Sequence, residues 1–225
     1  MKTLFKPLIV LAVTAIAFSS CMKDTSAEDE AAQRELEQKI LAQFEADAEE
    51  IEEFISLSEN PSEWEKDDTD FAFPTIGKTI KRGFWFEVLV DPIPEEGEEE
   101  YEYKLNQNST SNLPVALPEV KVTYSVSSLD GEVYQSGEEK LIDLATFVSN
   151  TEVFNATWYY SFIPKAIEYN EQDYEVGGLT TKGLRKGSKI RVLAPSYFAF
   201  GENTNGEIPA NSPLLYEFDV LDITE

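Results

Sequence analysis

The chain has 225 residues, 42% hydrophobic and 12% aromatic, enough to bury a sizeable core and too apolar for wholesale disorder. Its formal net charge of -25 argues against electrostatic binding to nucleic acid or anionic lipid, which needs clustered Lys and Arg. Histidine is absent and Cys21 is the single cysteine, which excludes His-based acid–base chemistry, Ser-His triads, His-ligated zinc and an internal disulfide.

Residues 1–20 read as a targeting segment. Lys2 and Lys6 precede the apolar run "PLIVLAVTAIAF", which is too short to span a bilayer comfortably, and "SSC" follows. This resembles a bacterial lipoprotein signal peptide, with cleavage before Cys21 and lipidation of its thiol; an ordinary secretory signal with a chance cysteine is the other reading. The tether at 21–27, within "MKDTSAEDE", resembles that of envelope lipoproteins of Bacteroidota-type bacteria. That resemblance implies a lipid-anchored envelope protein, on the periplasmic or the outer face of the outer membrane.

Leu36, Ile40, Phe44, Ala48, Ile51 and Ile55 recur at spacings of three and four, which predicts an amphipathic helix from Glu28 to Leu57. Its stripe would pack on the rest of the chain or drive self-association. "SENPSEW" carries the turn chemistry that ends it. "GFWFEVLVD", Gly83 to Asp91, predicts a strand stopped by Pro92 and Pro94. An acidic loop and the polar run Asn106 to Asn112 follow, placing a boundary near Leu113 between a leader at 28–112 and a domain at 113–225.

Beyond it, "VKVTYSV" alternates Val120, Val122, Tyr124 and Val126 with polar residues, and Asp130-Gly131 turns the chain into a second strand through Val133 and Tyr134. "KLIDLATF" reads as a third strand, the stretch Val153 to Leu184 holds one short helix, and "KGSKIRVLAP" and "PLLYEFDVLDI" supply the last two strands. The fold class is α+β, an antiparallel sheet with one helix. The loop Pro195 to Pro213 is unusually apolar, with Tyr197, Phe198, Phe200 and Ile208, and so either caps a core or lines a pocket.

These pieces come in the order found in the FKBP-type peptidyl-prolyl isomerase family. The tyrosine of "VKVTYSV", then "LDGEVYQS", "FIPKAI", "GLRKGSKIRVLAP", "FAFGE" and "GEIPANSPLLYEFDVLDI" resemble that family from Glu119 to the C-terminus. The resemblance implies a twisted antiparallel sheet wrapped around a short helix, preceded here by the amphipathic helix. Between sheet and helix it implies an apolar pocket for a proline ring, walled by Tyr124, Tyr134, Phe200, Ile208 and Tyr216. Gln135 and Ile142 would stand beside it, and Ile163 would offer a backbone N–H. The implied activity is prolyl cis-trans isomerisation of exported polypeptides, with no metal or cofactor.

Three positions depart from the family pattern. Phe200 stands where a tyrosine hydroxyl is usual, and Gln135 where an aspartate is usual. The pocket floor, usually a tryptophan, falls on Ala166 when aligned on "FIPKAI" and on Gly177 when counted back from "KGL". Tyr169 or Tyr174 of the inserted "EYNEQDYEVG" would then supply an aromatic floor, or the floor is shallower. The competing expectation is a weakly active or inactive binding module.

Overall fold

The computed structural model describes residues 25–94, 97, 100–106, 114–147 and 149–225. The targeting segment, Cys21 and the boundary residue Leu113 lie outside the described residues. Helix α1 spans Thr25–Leu57, as its periodicity predicts. Leu41, Phe44, Ile51 and Ile55 are buried against the chain's own core. The stripe also carries two buried acids that hydrophobic spacing does not explain. Glu37 accepts from the hydroxyl of Thr75 at 2.8 Å and the N–H of Ile76 at 3.0 Å. Asp47 accepts from both the N–H and the hydroxyl of Ser196, each at 2.7 Å.

After α1 come β1 (Glu65–Lys66), the hairpin β2 (Asp70–Phe73) and β3 (Lys78–Lys81), and β4 (Trp85–Val90). Past the polar run lie β5 (Glu119–Ser127), β6 (Val133–Asp143), the short helices α2 (Leu144–Phe147) and α3 (Ala156–Phe162), and a hairpin of β7 (Ala166–Tyr169) and β8 (Gln172–Glu175). Strands β9 (Lys189–Ala194) and β10 (Leu214–Thr224) complete the chain. Six strands form one antiparallel sheet in the order β1-β4-β9-β10-β5-β6. The architecture is α+β, an antiparallel sheet with a short helix against it and an amphipathic helix in front.

Two expectations change. Strand β4 pairs with β9 along Trp85↔Leu193 to Val90↔Lys189, so residues on both sides of Leu113 build the same sheet. The leader is part of the core. A buried ion pair, Arg82 Nε to Asp67 Oδ2 at 2.7 Å, joins it to α3, because the same guanidinium donates to the Gly177 carbonyl and lies 4.4 Å over the Tyr160 ring. The expected second and third strands, moreover, are one strand, β6, bent by a bulge. Between the pairs Tyr124↔Gly137 and Val122↔Lys140, Glu138 and Glu139 together oppose Thr123. Glu139 takes φ 48° there, and its N–H is held by the Thr123 hydroxyl at 3.0 Å. The "LATF" end of the expected strand instead coils into α2, whose first N–H groups are accepted by Asp143 Oδ1.

Strand β10 obeys its alternation. Leu214, Tyr216, Phe218 and Val220 are buried, and Glu217 between them is exposed. A register shift between Val220 and Asp222 then turns Ile223 inward. The face presenting Tyr216 and Phe218 is the one on which α3 lies.

Candidate functional site

Helix α3 begins at Asn155, whose side-chain oxygen accepts the Thr157 N–H at 3.0 Å. The amide of the same residue donates to the Tyr216 hydroxyl at 2.8 Å, so one side chain caps the helix and fixes it to β10. Burial pushes the Tyr216 phenol up, against the opposing effect of its hydrogen bonds to Asn155 and Thr157, and the ring is wholly enclosed. Residues four apart on a helix share a face, and here Trp158 and Phe162 stack at 5.8 Å with their planes 3° apart.

Trp158 is the centre of a ring cluster. It is fully buried, with Phe218 edge-on beneath it at 4.8 Å. Around it stand half-buried rings: Tyr124 at 4.8 Å, Phe147 at 5.5 Å and Phe154 at 6.5 Å. The indole Nε1 is buried with no hydrogen-bond partner among the described residues. Tyr124 is held in place from the strand opposite. A Cβ built on Gly137 would lie 2.5 Å from Tyr124 Cε1, so only glycine lets the ring lie across β6.

Sequence reading missed this tryptophan because "FIP" was used as the anchor. Neither Ala166 nor Gly177 offers a ring, and Tyr169 and Tyr174 face solvent on the β7–β8 hairpin at 43% and 41% exposure, so neither tyrosine supplies an aromatic floor. Ile163 is corrected too. It is the buried C-cap of α3, and its N–H is already given to the Tyr159 carbonyl at 3.2 Å, so it has none to offer a ligand. Ile142 sits opposite Val120 at the far end of the β5–β6 ladder from Tyr134, both partners buried.

The remaining residues divide. Ile208 is buried, Tyr134 is half-buried against the core, and Tyr216 supports the site from below. Gln135 has a definite role: its amide donates to the Glu152 carbonyl at 2.7 Å, and Asn205 donates to the same oxygen at 2.6 Å. That carbonyl therefore ties β6, the turn before α3 and the 201–213 loop together, with both of its lone pairs engaged. Phe200 makes no ring contact with the Trp158 cluster. It lies instead along a groove shared with α1.

The site is apolar, aromatic and without an ionised group in its ring cluster; burial raises the Tyr124 phenol, keeping it protonated at neutral pH. Among the described residues no group of three His, Cys, Asp or Glu is placed to hold a metal ion, and no helix is long and apolar enough to cross a membrane.

No family model matches the chain. A stretch of 42 residues is 43% identical to the FKBP-type peptidyl-prolyl cis-trans isomerase FkpA of Buchnera aphidicola subsp. Schizaphis graminum, covering 19% of this chain and 17% of that protein. The chain thus matches under a fifth of that relative's length. Among solved structures, it is similar to a peptidyl-prolyl cis-trans isomerase of Pseudomonas syringae pv. tomato, with a TM-score of 0.44 and 15% identity over 80% of this chain and 96% of that one. It is also similar to FkpA of Escherichia coli, with a TM-score of 0.42 and 18% identity over 90% of this chain and 69% of that one.

Proposed function

We propose that the chain is an FKBP-type peptidyl-prolyl cis-trans isomerase that assists the folding of exported proteins, held in the cell envelope by a lipid on Cys21. The observation that carries the reading is Trp158, a fully buried aromatic floor beneath the half-buried Tyr124, Phe147 and Phe154. It lies between sheet and helix, where the family resemblance calls for a proline pocket.

The chemistry suits a protein without histidine. Rotation about an X-Pro bond is slow, taking tens of seconds, because the planar amide must give up resonance. The twisted amide is less conjugated and less polar at its carbonyl, so a dry aromatic site favours it over the planar form. Trp158 would back the half-buried rings of Tyr124, Phe147 and Phe154, and those rings would hold the proline and exclude water from the turning bond. No nucleophile and no proton transfer is required.

One observation favours a second reading, a binding module with little catalysis. The N–H of Phe154 is spent on Asn150 at 2.7 Å, and that of Ile163 on Tyr159, so neither is free to hold a substrate carbonyl. A protease-coupled cis-to-trans assay on a short proline peptide, with a lipid-free form of the chain, separates the two. Isomerase action predicts a rate that rises linearly with protein concentration. A rate equal to the spontaneous one at micromolar protein would leave the binding module.

A further inference from the structure

Helix α3 carries Trp158 but cannot place it unaided. It is 7 residues long, and helices under about 12 residues have little stability of their own, so its position is set by what holds it. The Asn155 amide meets the Tyr216 hydroxyl of the sheet, and the Thr157 hydroxyl donates to the Phe198 carbonyl at 3.1 Å. At about 100° per residue, Tyr160 points to the other side of the helix from Trp158. There it meets the leader. The Arg82 guanidinium lies 4.4 Å over the Tyr160 ring, and each of its nitrogens is engaged: Nε with Asp67 Oδ2 at 2.7 Å, Nη1 with the Gly177 carbonyl at 2.8 Å and Nη2 with the Thr69 hydroxyl at 3.1 Å. Gly177 opens a strap that returns across the same helix, since the Leu179 N–H donates to the Tyr160 carbonyl at 2.9 Å. A Cβ on Gly177 would come within 3.7 Å of Arg82 Nη1 and 3.8 Å of Tyr160 Cε1, so strap, ring and guanidinium lie against one another.

We propose that Arg82 is a positioning residue for Trp158. By holding the Tyr160 ring and the Gly177 strap together, it fixes the angle at which α3 presents the indole to the sheet. The proposal rests on the isomerase reading for its kinetic part. A buried ion pair is a poor source of stability, because desolvation offsets much of the attraction, and the value of this one is geometric. A planar fork can meet a carboxylate, a hydroxyl and a carbonyl at once while its face stacks on a ring, which an ammonium group cannot do. The contacts also join two parts of the chain: Asp67, Thr69 and Arg82 come from the leader, Tyr160 and Gly177 from beyond the polar run. Without the clamp the Asn155 and Thr157 bonds persist, so α3 tilts and takes Trp158 with it.

The test uses the full chain labelled with 5-fluorotryptophan, in which Trp64, Trp85 and Trp158 each give a resonance and the last is assigned by its absence from Trp158→Leu. Arg82→Lys keeps a charge opposite Asp67 and loses the fork. Tyr160→Leu keeps apolar bulk and loses the ring face, and Tyr160→Phe keeps that face. Arg82→Lys and Tyr160→Leu should each move or broaden the Trp158 resonance and lower kcat/KM on a proline tetrapeptide about tenfold. The Trp64 and Trp85 resonances, from a separate cluster with Ile51, Ile55 and Leu193, should stay in place. Tyr160→Phe should match the parent in both readouts, with kcat/KM within about twofold. A contact that only adds stability would lower the urea midpoint and leave the Trp158 resonance where it was, and that result overturns the proposal. So does a change in one readout without the other, or global unfolding of both Arg82→Lys and Tyr160→Leu, since Arg82 would then hold the whole fold. If the parent accelerates nothing, the isomerase reading is lost and the resonance alone decides: displacement of Trp158 in both variants supports the proposal, and an unmoved signal overturns it.

Discussion

Two aromatic clusters meet in this molecule, and they differ in how they are closed. One gathers around Phe198, stacked on Phe84 at 4.8 Å and edged by Phe44 of α1, Phe71 of β2 and Tyr160 of α3. The other gathers around Trp158. Around Phe198 the leader supplies Phe44 and the half-buried Phe71, and the Asp47–Ser196 hydrogen bonds fasten the backbone beside it. Around Trp158 three rings stay half-exposed, and the indole N–H is unpaired among the described residues. Both centres are buried and both carry half-buried rings; what separates the two clusters is the element packed on them, α1 and the β2–β3 hairpin on Phe198, α3 and the turn before it on Trp158.

The contrast is sharpest when each centre is removed. Phe198→Ala leaves a cavity at a buried centre and should cost about 3–5 kcal/mol of stability, read as a lower urea midpoint at unchanged m. The kcat/KM of the molecules that remain folded should stay within a few-fold of the parent. Trp158→Leu should also cost stability, since the indole is fully buried, but less than truncation to alanine because an apolar side chain still fills part of the space, and it should in addition lower kcat/KM about a hundredfold. Equal loss of activity in the two variants would erase the distinction between them.

A smaller change probes the collar and leaves the floor in place. Gly137 is not in the left-handed region, so alanine fits its backbone and the new methyl collides with the Tyr124 ring and with the Lys140 stem, a flexible side chain that can move aside. Gly137→Ala should displace that ring from Trp158, cutting kcat/KM about tenfold and costing about 1–2 kcal/mol of stability. An unchanged kcat/KM would remove Tyr124 from the site.

The Phe198 region is the more legible in outline and the Trp158 region in detail of sequence. Period-four spacing gave α1 its length, and period-two spacing gave β10 its faces, because both patterns are local. The docking of α1 was not legible. Glu37 and Asp47 look like surface acids until Thr75 and Ser196, 38 and 149 residues away, are folded against them. Trp158 was hidden differently. "FIP" at the end of α3 drew the alignment toward Ile163, yet a local signal existed: Asn155 is a strong N-cap residue, and Trp158 and Phe162 follow it four apart. Reading the cap first would have placed the tryptophan on the inner face of the helix. The bulge at Glu139 left no such trace, since a non-glycine residue with positive φ is specified by its neighbours on the next strand.

Asp47 offers the finest test, because it fastens α1 to Ser196 at the start of the 195–213 loop, beside Phe198. Burial pushes its carboxyl up, against the opposing effect of its bonds to Ser196 and Gln43. The folded chain therefore keeps this proton at a pH where the unfolded chain has lost it. For a carboxyl raised in this way the contribution to stability is largest at low pH and falls as pH rises from the usual aspartate range through the raised value, opposite to a salt-bridged acid. Glu50 follows, its carboxyl raised by burial first and by the charges of Asp47 and Glu53 after it, so ionising Asp47 also works against its neighbour. Asp47→Asn removes the titration and can keep an acceptor for Ser196. The parent's urea midpoint, compared with that of Asp47→Asn, should fall as pH rises through this window and level off above it. A difference that grows with pH would mean the carboxylate is stabilised as an anion, and that α1 holds the loop by charge.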